Sequence, residues 1–173
     1  MAPDMKRKTR RADDNRRAMT AESILSKFAR CGRHLAMQSK SDLIPSRTRD
    51  RYWIEVQKPN AQWSNTSGKW LLFVSASRID SAWRIIRTDT LLGKLGVGAK
   101  VATAMPNPLA TSQHAKLICV YTYDAGDLDD VRRVRQRLRE LGFRKKLPYK
   151  TDAATEAGVY ARSDGTHVSL LYE

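Results

Sequence analysis

The chain has 173 residues, a hydrophobic fraction of 41% and a formal net charge of +14. That length suits one domain with appendages, and no apolar stretch reaches the ~20 residues of a membrane-spanning helix. So large a positive charge implies a polyanionic partner: nucleic acid, an anionic surface or an acidic protein. The N-terminus lacks an apolar signal core, which argues against secretion. The two cysteines, Cys31 and Cys119, are far apart with no CxxC spacing. They fit a reducing, intracellular setting and suggest no metal site.

Residues 1–19 form a basic tail in which Lys6, Arg7, Lys8, Arg10 and Arg11 crowd together. It has no apolar face to offset its ordering entropy, so it is expected to be disordered. It could contact nucleic-acid phosphates, serve as a nuclear address, or simply be a solvated tail, a reading of at least equal weight. Residues 20–50 are expected to hold a short helix and a linker. Thr20 is a plausible N-cap and Ile24, Leu25 and Phe28 form a stripe ending at Gly32. Residues 33–50 are polar and irregular and read as a linker or surface loop. Residues 1–50 and the remainder each carry a net +7, so the folded part has its own positive field.

A short strand is expected at Tyr52–Val56. The loop after it carries Trp63 between Gln62 and Ser64. A tryptophan in a polar loop is either a lid on the core edge or a platform on which a base stacks. Ser67-Gly68 then feeds the apolar run Trp70–Val74, read as a strand buried on both faces or nearly so. Asp80 can cap a helix to Thr88 that turns Trp83, Ile86 and Ile85 to the sheet. After the glycine-punctuated segment 92–98, Ala99–Ala104 alternates, with Val101 and Thr103 on one side and Lys100, Ala102 and Ala104 on the other. Leu117–Thr122 forms the next strand, with Cys119 a buried small hydrophobe.

Asp127–Leu141 carries the clearest helical period, with Leu128, Val131, Val134, Leu138 and Leu141 on one stripe. Arg132, Arg133, Arg135, Arg137 and Arg139 occupy the outer face, read as solvated and partnered by Asp129 and Asp130. A basic stretch from Lys145 to Lys150 leads into a capped turn of helix at 151–155. Tyr160 and Val168–Tyr172 supply the last strands. Strand, helix, strand, strand, helix, strand predicts an α+β domain over residues 51–173: one mainly antiparallel sheet with helices on one face.

Over residues 68–158 the chain resembles translation initiation factor 4E, and more closely the poorly characterised BLES-type proteins of the same fold. The resemblance rests on Gly68-Lys69-Trp70-Leu71-Leu72, Asp80-Ser81-Ala82-Trp83, Gly93-Lys94-Leu95-Gly96 with Ala99-Lys100-Val101, Leu117–Thr122, the helix with Val131 and Leu138, and Tyr149-Lys150-Thr151-Asp152 with Thr155. The first fifty residues lie outside it. It implies a curved sheet with helices on its convex back and a ligand groove on its concave face. In the cap-binding family two tryptophans sandwich a methylated base. The resemblance gives those roles to Trp63 and Trp53, and a neighbouring aromatic position to Tyr121. Ser64 stands where that family has an acidic residue that bonds the base edge. Ala104 stands near its phosphate-binding arginine, and Lys100, on the same strand face, is a substitute.

These features predict a non-catalytic RNA- or nucleotide-binding module. Trp63, Trp53 and Tyr121 line its groove, and Lys100, Lys116 and Lys150 meet phosphates. The alternative is a protein-interaction or assembly subunit of a ribonucleoprotein complex with a vestigial groove. His34, His114 and His167 are isolated, and no nucleophile–base or phosphate-loop pattern occurs, so an enzyme is not expected. A cluster of Asp152, Lys150 and His114 is conceivable, but Asp152 more simply caps the helix beside it. No cofactor, metal or membrane partner is expected. The expected location is cytoplasmic, with the nucleus as the alternative the basic tail allows.

Overall fold

Six strands form one sheet: β1 (Trp53–Gln57), β2 (Gly68–Ser75), β3 (Gly98–Ala102), β4 (Ala115–Thr122), β5 (Pro148–Thr151) and β6 (Leu171–Tyr172). Their order is β1-β3-β4-β2-β5-β6, and every neighbouring pair is antiparallel. Three helices accompany them: α1 (Ile79–Leu91), α2 (Leu128–Glu140) and α3 (Asp152–Glu156). This is the curved α+β sheet with helices on one face that the resemblance implies. The structure is a computed structural model and describes residues 43–107, 112, 114–157 and 171–173. The expectations for residues 1–42, Tyr160 and Val168–Leu170 lie outside the described residues. None of the described helices is long and apolar enough to cross a membrane.

Alternation along the strands puts one set of side chains under the helices. Ile54, Trp70, Leu72, Val101, Ile118, Val120 and Tyr149 share one core with Ile79, Ala82, Trp83 and Ile86 of α1 and Val131, Val134 and Leu138 of α2. Burying a large apolar side chain contributes ~1.5–3 kcal/mol, so this layer dominates stability. The indole N–H of Trp70 donates to the Val131 carbonyl at 3.0 Å, fixing α2 to the central strand β2. Asp127 caps α2 by accepting from the Asp130 amide. Acids in its first turn and Arg137 and Arg139 in its last suit the helix dipole.

Several expectations are corrected. Phe73 is 61% exposed, so β2 is covered on both faces only toward its N-terminal end. Ile85 and Leu128 sit at the edges of their helical stripes and are exposed. Asp80 does not cap α1. Its carboxylate accepts from the Ser46 amide at 2.9 Å and the Ser46 hydroxyl at 2.6 Å. Leu43 packs on the core, and the Ala104 amide donates to the Pro45 and Thr48 carbonyls. The compact unit, Asp42–Glu173, therefore takes in the segment before residue 51.

Arg135 is not on the outer face with its neighbours; its exposure is 0%. Its guanidinium donates to the carbonyls of Glu173, Phe143 and Lys145 at 2.9, 2.9 and 2.7 Å. Burial, more than the nearby Arg139, lowers its pKa. Five rigid donors let an arginine satisfy several carbonyls at once, which makes so costly a burial tolerable. Arg137 is also partnered across the helices, at 2.6 Å from Asp89 of α1.

Candidate ligand-binding face

The alternate residues of the same strands form a second surface, on the side away from the core. The register sets them in rows. Gln57, Gly98, Tyr121, Lys69 and Lys150 lie opposite one another across β1, β3, β4, β2 and β5. The next row is Glu55, Lys100, Cys119 and Leu71. Beyond it Trp53 faces Ala102, and Phe73 faces Leu117. One end of the face is thus aromatic and cationic, and the other is apolar.

Trp63 reaches this surface from its loop. Its ring meets Tyr121 edge-on, with centroids 5.4 Å apart and planes at 72°. It remains 41% exposed. Gly98 makes room for it: a Cβ there would lie 2.9 Å from Cζ2 of the indole. The Lys100 ammonium is 4.7 Å from the Trp53 ring centre and 5.6 Å from that of Tyr121. The Lys69 ammonium lies 5.4 Å from the Tyr121 ring. Both are within the ~6 Å reach of a cation–π attraction.

Lys69 is paired with the Asp152 carboxylate, whose other oxygen accepts from the Ser67 hydroxyl. The Asp152 amide donates to the Ser67 carbonyl at 2.8 Å. Thr151, not Asp152, caps α3, through its hydroxyl and the Ala154 amide. Lys150 stands opposite Lys69, and each is only 7% exposed. Burial lowers the pKa of Lys150, Lys69 lowers it further, and Asp152 works the other way. Burial pushes the Tyr121 hydroxyl well above its ordinary value, helped by Cys119, Asp152 and Glu55. The Cys119 thiol is also raised by burial, against the pull of Lys100 and Lys69, so it is not a poised thiolate.

The structure thus brings five of the sequence-predicted residues to one face: Trp63, Trp53, Tyr121, Lys100 and Lys150. Lys116 is not among them. It lies opposite Val74 and shares the side of Ile118 and Val120, so alternation turns it to the helix layer. Lys6, Arg7, Lys8, Arg10 and Arg11 lie outside the described residues. The conceivable cluster of Asp152, Lys150 and His114 does not form. Asp152 follows the partner of Gly68 and His114 precedes the partner of Ser75, at opposite ends of β2. Those ends are roughly 23 Å apart at the rise of a strand. Among the described residues no group of acids, histidines and cysteines could hold a metal ion. The sequence reading missed Lys69 on this face. Strict alternation from the buried Trp70 would have found it.

This architecture is that of the cap-binding initiation factors. Structures of schistosome eIF4E complexed with m7GpppA and 4E-BP, and with m7GpppG and 4E-BP, each superpose with a TM-score of 0.56 at 13% sequence identity. In both cases the match covers 88% of this chain and 81% of the other. The sequence pattern of the family described as basophilic leukemia-expressed protein Bles03 matches residues 10–158. The chain belongs to that family, and the match reaches back past residue 50 into the basic tail.

Proposed function

We propose that the protein is a non-catalytic binding module for RNA or a nucleotide, with the face of the sheet away from the helices as its site. In this reading Trp63 offers a flat ring for a base, Tyr121 supports that ring, and Lys69, Lys100 and Lys150 attract phosphate. The observation that carries it is the exposed Trp63 ring resting on Tyr121 beside two ammonium groups. The schistosome proteins of this fold bind cap nucleotides, which supports the nucleotide reading. Ser64 and Ala104 lack the charges of the cap-binding pattern, so recognition is expected to be independent of the cap. The basic tail would add phosphate contacts, making affinity fall with salt. The reading implies an intracellular protein, cytoplasmic or nuclear.

The test is titration of the full chain, Trp63→Ala and Lys100→Ala with short capped and uncapped RNA and with nucleotides across salt concentrations. Removing Lys100 should weaken binding to all sequences and make the salt slope shallower by about one unit. If both variants bind like the parent, this face is not the site.

A second reading, a protein-interaction subunit, is favoured by a different observation. Ile85, Leu91 and Leu92, in and just after α1, are exposed apolar side chains. The same schistosome structures contain the protein 4E-BP. Absence of any nucleic-acid or nucleotide binding would favour this reading.

A further inference from the structure

We propose that Lys100 decides which rings this face accepts: its ammonium occupies the cleft between Trp53 and Tyr121, so a neutral base is taken and a cationic ring or quaternary ammonium is refused; for the identity of the ligand this rests on the nucleotide reading above. The strands build the cleft around that residue. On this face β3 carries Gly98, Lys100 and Ala102, a lysine between two of the smallest residues. Small neighbours let rings close in from both sides. Trp53 stands opposite Ala102, Tyr121 stands opposite Gly98, and the Trp63 ring lies over Gly98. The Lys100 ammonium comes to lie 4.7 Å from the Trp53 ring centre and 5.6 Å from that of Tyr121. Rings from two different strands therefore share one cation. Lys100 makes a further interaction besides these two. An ammonium held from several sides keeps its place when a ligand arrives.

Clustered aromatic rings attract quaternary ammonium groups and other cations through their electron-rich faces. Here that attraction is already answered from within the chain. A second cation would find the ring faces taken and meet a like charge a few ångströms away. A site that sets a like charge against the wrong ligand rejects it, rather than merely failing to favour it. A neutral base escapes this penalty. It stacks on Trp63, whose ring is 41% exposed where Tyr121 is 6% exposed. Lys100 and Trp53 are half-buried, so removing the ammonium leaves a cleft that a small cation can reach.

The experiment uses the full chain and two titrations at mildly acidic pH, where an N7-methylated guanine is a cation. The first follows tryptophan fluorescence as tetramethylammonium chloride replaces sodium chloride at constant ionic strength. The wild type and Lys100→Arg, which keeps the charge, should show no binding, and Lys100→Ala should bind. The second compares GMP, N7-methyl-GMP and N2-methyl-GMP, the last methylated but neutral. The wild type should bind N7-methyl-GMP more weakly than GMP. Lys100→Ala should shift that ratio toward the cation by roughly fivefold, the scale of one cation–π contact. The ratio of N2-methyl-GMP to GMP should stay put, and Lys100→Arg should keep both wild-type ratios. Tetramethylammonium binding to the wild type would overturn the proposal whatever the variants do. So would wild-type binding of N7-methyl-GMP at least as tight as that of GMP. A folded Lys100→Ala that gains for neither cation would overturn it too. In these cases nucleotide binding itself would stand. If no nucleotide binds any form, the nucleotide reading falls, and the tetramethylammonium titration still decides whether Lys100 closes the cleft to cations.

Discussion

The two faces of this sheet are made by the same strands, one residue out of step, and they have been put to opposite uses. Under the helices Trp70, Val101, Ile118, Val120 and Tyr149 have no exposed surface. Three polar groups there are answered from within the fold, Trp70 by the Val131 carbonyl, Tyr149 by the Thr122 hydroxyl and Arg135 by three carbonyls, while the buried Trp83 indole N–H has no partner among the described residues. On the other face Lys69 and Lys150 oppose one another on neighbouring strands, an arrangement of like charges that costs stability. Asp152, ion-paired with Lys69, offsets it. Phe73 is left in solvent. Stability is concentrated on one side, and the side that gives some of it up is the one with the features of a site.

Substitutions under the helices should therefore be felt as lost stability, and those at the exposed Trp63 and at Lys100 on the other face as lost binding. The largest effect is expected from Trp70→Ala, which removes a buried indole from the centre of the core. It should lower unfolding stability by ~3–5 kcal/mol in denaturant titrations. A Trp70→Ala protein that melts like the parent would break the comparison outright. Arg135→Met comes next. It strands the carbonyls of Glu173, Phe143 and Lys145, at ~1–3 kcal/mol for a buried acceptor left unmet. A variant as stable as the parent would show that water can replace the guanidinium. A chain starting at Asp50 loses the Ser46–Asp80 hydrogen bonds and the carbonyl partners of Ala104. It should be less stable than one starting at Asp42 by about 1–2 kcal/mol. Equal melting curves would mean that the segment merely rests on the surface.

Alkaline pH sharpens the same contrast. Burial raises the Tyr149 hydroxyl to about 12, while the Thr122 hydrogen bond works the other way. In the unfolded chain this group loses its proton near 10, so between 10 and 12 the folded state holds the extra proton. Its contribution is intact below pH ~10 and fades as pH rises toward 12. Tyr149→Phe should flatten that part of the stability–pH curve; an unchanged slope would assign the titration elsewhere. The smallest effect on stability belongs to Trp63→Ala. Its melting temperature should barely move, while affinity for RNA falls by ~1–3 kcal/mol. A large drop in melting temperature with unchanged affinity would make Trp63 part of the core and reverse the roles of the faces.

The sequence revealed the elements of the sheet well, because hydrophobic period is a local property. The α2 stripe and the alternation of β3 needed nothing from the rest of the chain. The site was legible where a residue looked out of place, as Trp63 does between Gln62 and Ser64, or where alternation was applied, as at Lys100. It was misread where a two-sided environment was assumed. Treating β2 as buried on both faces hid Lys69, and treating Lys116 as simply basic ignored its parity with Ile118. Asp152 and Arg135 failed for another reason. Each had a plausible local role, as a cap or a solvated arginine, and each was claimed by partners distant in sequence. Asp152 pairs with Lys69, and Arg135 holds the carbonyl of Glu173. Such pairings exist only once the chain has closed on itself.

Gly98 gives the Trp63 ring a place to lie, and this bears on how firmly anything can be held there. A long aromatic side chain free to wander would have to be immobilised anew with every ligand, at a cost of ~0.5–1.5 kcal/mol in lost rotamer freedom. Lodged in the gap left by the missing Cβ and braced by Tyr121, the indole is ordered when the protein folds. Gly98→Ala would lift the ring off its bed, and the new Cβ would also press on the Val56 carbonyl of β1, 3.0 Å away. Whatever affinity such a protein lost would measure the seating of the ring and of the strand beneath it, with the chemistry of the ring itself unchanged.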